Sequence, residues 1–167
     1  MSGGTIIRPV TAADHAPVTA IYNHYIVTTP ATFDIEPFLV EERKEWFAQF
    51  RSDGPYRMLV AEEAGEVVGA TWSSQFRPKR AYDTTVETSI YLAAGATGQG
   101  LGTQLYEALF AALAGESLHR AIAAITQPNE ASTALHHRFG YRQVALLSEV
   151  GLKFGRYHDV AWLEKSL

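Results

Sequence analysis

Cysteine is absent from the 167-residue chain. That removes disulfides, thiolate metal sites and a cysteine nucleophile, and makes a reducing cytoplasm the simplest location. A basic excess is also lacking. Fourteen Lys and Arg stand against 18 Asp and Glu, for a formal net charge of −4. Nucleic acid is therefore not expected as a partner, because phosphate backbones need a cationic surface. No apolar run approaches the ~20 residues that cross a bilayer, and the opening MSGGTIIRPV lacks the apolar core of a secretory signal, so no membrane partner is expected either. Linkers, repeats and low-complexity stretches are missing too, and residues 1–167 are expected to form one domain. With 47% hydrophobic residues the chain can build a full core.

What is present alternates between strand and helix patterns. Thr5 to Arg8 reads as a first strand, and Thr11 with Asp14 reads as a capping-box start for a helix carrying Val18, Ile21, Tyr22, Tyr25 and Ile26 at helical spacing. A second helix is expected over 40–51, where the run Glu41 to Glu45 makes a solvated face. Met58–Ala61 and Val67–Ser73 read as strands around the hairpin turn Glu63–Glu66, followed by a basic loop from Phe76 to Arg80 and a strand over Val86–Leu92. Leu101, Leu105, Leu109 and Leu113 recur every four residues, which puts that helix face in the core. Ala121–Ile125 reads as a buried strand. Asn129 can cap a helix running to Phe139, Gly140 suits a left-handed stop, and the tail around Gly151 and Gly155 reads as a closing hairpin. The sum is an α/β domain built on one sheet.

Between the Val86–Leu92 strand and the leucine helix lies Thr97-Gly98-Gln99-Gly100-Leu101-Gly102. Glycines let backbone approach a ligand, and a helix N-terminus offers free N–H groups at the positive end of its dipole, which together suit a pyrophosphate. A phosphate loop of the Walker kind needs Gly-Lys-Ser/Thr, whereas Gly102 is followed by Thr103-Gln104. A dinucleotide fingerprint needs G-x-G-x-x-G and an acid about 20 residues on. Here the spacing is G-x-G-x-G, position 120 is Arg, and the nearest acid before it is Glu116. An ordinary tight strand-to-helix turn is the alternative.

Ile90-Tyr91-Leu92, the glycine turn, Asn129 and Leu135-His136-His137-Arg138-Phe139-Gly140-Tyr141 together resemble the GCN5-related (GNAT) N-acetyltransferases. Within them, Tyr22-Asn23-His24-Tyr25-Ile26, Thr32-Phe33, Ala81 to Glu87 and Tyr157-His158-Asp159-Val160 resemble the phosphinothricin and methionine sulfoximine acetyltransferases, in order and spacing along nearly the whole chain. The resemblance implies a single mixed, mostly antiparallel central sheet flanked by about four helices. It implies acetyl-CoA as co-substrate, no metal, a small-molecule amine as acceptor, and a homodimer. Coenzyme A is then expected along Ile90, Tyr91 and Leu92, at Thr97, Gly98, Gln99, Gly100, Leu101, Gly102 and Thr103, and at Asn129 and Ser132. The chain departs from the wider family in two places. Thr97 stands where relatives carry Gln or Arg, which implies weaker rather than absent cofactor binding. His136 stands where most relatives place a general-acid Tyr, a feature the phosphinothricin subfamily shares.

Acetyl transfer to an amine needs a base for the ammonium proton and help for the departing thiolate. Glu87, on the strand leading to the turn, is the candidate base, with an exposed strand carboxylate as the alternative. His136 is the candidate acid, or the residue that orients a water at sulfur; otherwise it is a surface histidine beside His137. Backbone N–H near Leu92 is the family's oxyanion donor. Arg77, Lys79 and Arg80 suit the acid end of an amino-acid acceptor, or form a solvated loop. Phe33 and Tyr82 either wall the acceptor pocket or belong to the core. Acceptors with a carboxylate or phosphinate, such as phosphinothricin, methionine sulfoximine or methionine sulfone, are favoured over a polyamine or a protein N-terminus. A non-catalytic acyl-CoA-binding domain is the remaining alternative.

Overall fold

A computed structural model describes residues 4–167. Seven strands form one sheet in the order β1-β2-β3-β4-β5-β7-β6, with β1 Ile6–Pro9, β2 Met58–Glu63, β3 Glu66–Gln75, β4 Thr85–Leu92, β5 Arg120–Thr126, β6 Arg142–Lys153 and β7 Arg156–Ser166. All neighbours are antiparallel except β4 and β5, which are parallel. Four helices flank it: α1 His15–Thr28, α2 Lys44–Ala48, α3 Leu101–Leu113 and α4 Glu130–Arg138. None of them is long and apolar enough to cross a membrane.

Alternation along β2 divides the core between two faces. Met58 and Val60 pack with Val18 of α1, Phe47 of α2 and Trp72, while Leu59 packs with Tyr106, Leu109 and Leu113 of α3. The α3 leucines are buried as their spacing requires, each stabilising by roughly 1.5–3 kcal/mol. Turn chemistry is equally direct. Ala64 (φ 50°) and Gly65 (φ 86°) form the two-residue β2–β3 turn, and Gly140 (φ 83°) stops α4. Asp14 accepts the Thr11 N–H at 2.7 Å as expected, although the first turn is 3-10 (Ala12–Asp14) before α1 begins.

The second helix differs most from expectation. Val40–Arg43 is a 3-10 turn and only Lys44–Ala48 is α-helical. Arg43, read as part of a solvated face, is only 6% exposed. It lies on the side of Trp46, Phe47 and Phe50, three to four residues apart, and stacks with its guanidinium carbon 3.7 Å from the centre of the Trp46 ring.

Candidate active site

The site begins where the sheet comes apart. β4 and β5 pair only over Thr85–Glu87 with Arg120–Ile122, after which the two strands diverge. Between β3 and β4, Ala93 donates its N–H to the Val68 carbonyl, and the register runs Gly69 with Leu92 and Thr71 with Ile90. In an antiparallel ladder this turns the N–H and C=O groups of Ile90 and Leu92 away from β3, toward the gap. Tyr25 of α1 uses one of them: its hydroxyl donates to the Leu92 carbonyl at 2.7 Å. The Leu92 N–H thus faces the gap, on the strand edge where the resemblance placed an oxyanion donor.

The gap is a cleft of about 380 Å³. Ile90, Tyr91, Leu92, Thr97, Gly98, Gly100, Gly102, Thr103, Asn129, Ser132 and His136 line it, so ten of the twelve residues expected to hold coenzyme A meet on one surface. Gln99 and Leu101 do not line it. Gln99 turns its amide to the Gly95 carbonyl at 3.1 Å, and the Leu101 side chain is 2% exposed in the core under α3. Gly98 (φ 77°) and Gly100 (φ 79°) adopt left-handed backbone, and a Cβ at either would meet no protein atom within 4 Å. Their bareness leaves open space above the α3 N-terminus. Gly102 serves packing instead, since a Cβ there would lie 3.2 Å from Leu135 of α4. An open strand edge ending at a helix N-terminus fits an extended pantetheine arm and a pyrophosphate. The Asn129 side chain accepts the Ser132 N–H at 3.1 Å, capping α4 at the cleft wall.

His136 is buried at 3% exposure and fully engaged. Its Nδ1 lies 2.7 Å from the Ser132 carbonyl, which only accepts, so Nδ1 carries a proton. Nε2 lies 2.8 Å from the Tyr106 hydroxyl. Burial lowers the imidazole pKa, opposed by the Ser132 carbonyl, so the ring is neutral near pH 7 and Nε2 accepts from Tyr106. The arrangement leaves no ring proton free for a leaving sulfur, and the surface-histidine alternative does not hold.

A second cavity of about 470 Å³ adjoins the cleft, and Ala31, Ser89, Tyr91, Ala124 and Thr126 line both. Glu87, Ser89 and Tyr91, on one face of β4, form its floor, while Thr32, Phe33 and Asp34 of the loop after α1 form a wall. That loop is pinned from two sides. Asn23 of α1 holds Phe38 through both backbone groups, at 2.8 and 2.9 Å, and Lys153 of β6 donates to the Thr32 carbonyl at 2.7 Å. Glu87 is half-buried, and desolvation raises its carboxyl pKa while the charge of Arg77 opposes the rise. It is not the exposed strand carboxylate of the alternative reading.

The basic loop is placed differently. Arg77 lies over the rings of Phe76 and Trp162, near enough to act on Glu87 by charge, but it lines neither cavity. Arg80 and Tyr82 sit in an exposed 3-10 turn, Arg80–Tyr82, also outside both cavities, with Tyr82 packed on Phe76. Phe33 is in the wall of the second cavity, and Tyr82, 43% exposed, lines neither cavity and lies outside the core. Sequence reasoning passed over Tyr25, Asp34 and Arg43. The helical spacing of Arg43 to Trp46, Phe47 and Phe50 was a usable signal, masked by its charged neighbours.

Comparison with known proteins agrees with this geometry. The model of the Acetyltransferase (GNAT) family matches residues 18–141. The chain is 55% identical over 163 residues to a phosphinothricin N-acetyltransferase of Streptomyces coelicolor, covering 96% of this chain and 95% of that one. It is 36% identical over 162 residues to the L-methionine sulfoximine/L-methionine sulfone acetyltransferase of Pseudomonas aeruginosa, covering 96% and 94%. The crystal structure of a phosphinothricin acetyltransferase from Sinorhizobium meliloti in complex with acetyl-CoA superimposes with a TM-score of 0.92 at 32% identity, covering 98% of this chain and 88% of that one.

Proposed function

This chain belongs to the acetyltransferase (GNAT) family and is an acetyl-CoA-dependent N-acetyltransferase, and on that premise we propose that its acceptor is the α-amino group of a small amino acid resembling phosphinothricin, methionine sulfoximine or methionine sulfone. The observation that carries the reading is Glu87: a half-buried carboxylate on the floor of the acceptor cavity, where that cavity adjoins the cleft along β4. Bound acetyl-CoA supplies the activated acetyl group. The residues of this chain do the rest. The turn at 98–103 and the free edge of β4 hold the donor, Glu87 takes the ammonium proton directly or through water, and the Leu92 N–H faces the developing oxyanion. As the amide forms, the C–S bond breaks and coenzyme A leaves as the thiolate, protonated from solvent. His136, neutral and bonded at both nitrogens, orients Tyr106 rather than donating a proton. Arg77, outside the lining, adds positive charge that acts on Glu87.

The test is a panel assay of thiol release from acetyl-CoA. Phosphinothricin, methionine sulfoximine or methionine sulfone is expected to be acetylated, with spermidine a much poorer acceptor. The lining also contains Asp34, Glu42 and Glu87, which suits a polycation. If spermidine outcompetes every amino acid, the acceptor is a polyamine and the amino-acid reading falls.

A further inference from the structure

Arg43 is the one cationic side chain lining the acceptor cavity among the described residues, and its hydrogen-bonding capacity is unspent. It is 94% buried by its 6% exposure, yet it forms no hydrogen bond and no ion pair with any described residue, and its Nη1 is a buried nitrogen without a partner. The nearby acids are committed elsewhere. Asp34 accepts from the Tyr22 hydroxyl at 2.5 Å, and Glu42 accepts the Leu39 N–H at 2.7 Å. Aromatic rings hold the guanidinium in place: Trp46 at 3.7 Å, Tyr22 at 4.7 Å and Phe38 at 5.3 Å from its carbon. Such stacking offsets part of the desolvation of a cation but leaves its N–H donors empty. A guanidinium held flat by rings on the cavity wall, with no hydrogen-bond partner among the described residues, forms a receptor for a carboxylate.

We propose that Arg43 binds the α-carboxylate of the acceptor and is the residue that selects amino acids over simple amines. The inference rests on the amino-acid reading above and names the group that enforces it. Glu87 and Arg43 line the same cavity on different elements, β4 and the turn before α2, so the two ends of a zwitterion meet opposite charges. No other cation in the lining competes for the acid.

Three acceptors sharing one side chain test it: L-methionine sulfone, its carboxamide, and 3-(methylsulfonyl)propylamine, which lacks the carboxyl carbon. The wild-type enzyme should show a KM for the sulfone lower by roughly 10- to 100-fold than for the other two, the range expected for charged hydrogen bonds. Arg43→Gln should raise the sulfone KM by that factor and leave the other two within about threefold, so the preference collapses with little change in kcat. Arg43→Lys keeps the charge without the fork and should fall between them. If Arg43→Gln weakens all three acceptors alike, Arg43 is a structural brace and the assignment is wrong. Should Arg43→Gln fail to fold, the Lys variant and the wild-type ratio decide, and a wild type indifferent to the carboxylate overturns the proposal. A wild type that acetylates none of the three fails at the amino-acid reading itself.

Discussion

A base that must be ionised to work reports its own environment through pH. Burial holds the Glu87 carboxyl above its ordinary value, and Arg77 pulls it back. The acidic limb of kcat/KM is therefore expected above the value of about 4.3 for an unperturbed glutamate. Removing the opposing cation with Arg77→Ala should move that limb further up, because the ionised form then loses its only favourable charge. Glu87→Gln should lower kcat on the order of 100-fold while acetyl-CoA affinity stays close to wild type, with partial recovery at high pH as solvent deprotonates the amine. A limb that moves down in Arg77→Ala would remove Glu87 as the group being titrated. At this scale both the candidacy of Glu87 and its partial desolvation were legible from its place on a central strand before the glycine turn, and the opposing charge of Arg77 was not.

At the scale of elements, the wall of the proposed acceptor cavity depends on a contact between pieces far apart in sequence. Phe33, in the loop after α1, packs against Gly151 in the β6–β7 hairpin so closely that a Cβ there would sit 2.1 Å from Phe33 Cε2. Gly151 needs no left-handed backbone, so Gly151→Ala acts through volume alone and forces the Phe33 ring to move. Overpacking of this kind costs about 1–3 kcal/mol. The acceptor KM should rise severalfold with acetyl-CoA affinity unchanged, as measured by steady-state kinetics and calorimetry. Wild-type KM in a folded Gly151→Ala variant would show that the hairpin does not set the wall. Legibility differs among elements for a physical reason. The α3 leucines follow one period and read correctly, while the turn before α2 hides a buried arginine in a charged run, stacked on Trp46 three residues on and faced by Tyr22 of α1.

For the whole molecule, the outermost strand opposite β1 is the conspicuous feature. β6 is an edge strand, and Val144, Leu146, Val150 and Leu152, with Phe154 in the turn and Tyr157 on β7, are each between 43% and 61% exposed. A long apolar edge of this sort is a pairing surface unless covered. We propose that a second copy covers it. Ultracentrifugation should give a dimer, and Leu146→Lys with Leu152→Glu should give a folded monomer. A wild-type monomer at micromolar concentration would refute the pairing.

The sequence by itself determined the order of the elements, the core face of α3, the glycine turn with its phosphate-binding physics, and the candidacy of Glu87, because each is written in local spacing and side-chain chemistry. Tertiary structure decided the rest. That β4 parts from β5 after Glu87, that His136 is locked between Ser132 and Tyr106, that Arg80 and Tyr82 stay outside while Arg43 turns in, all depend on which distant residues meet. Burial and hydrogen-bond partnership are properties of such meetings, and one-dimensional patterns carry them only where a single period dominates the packing.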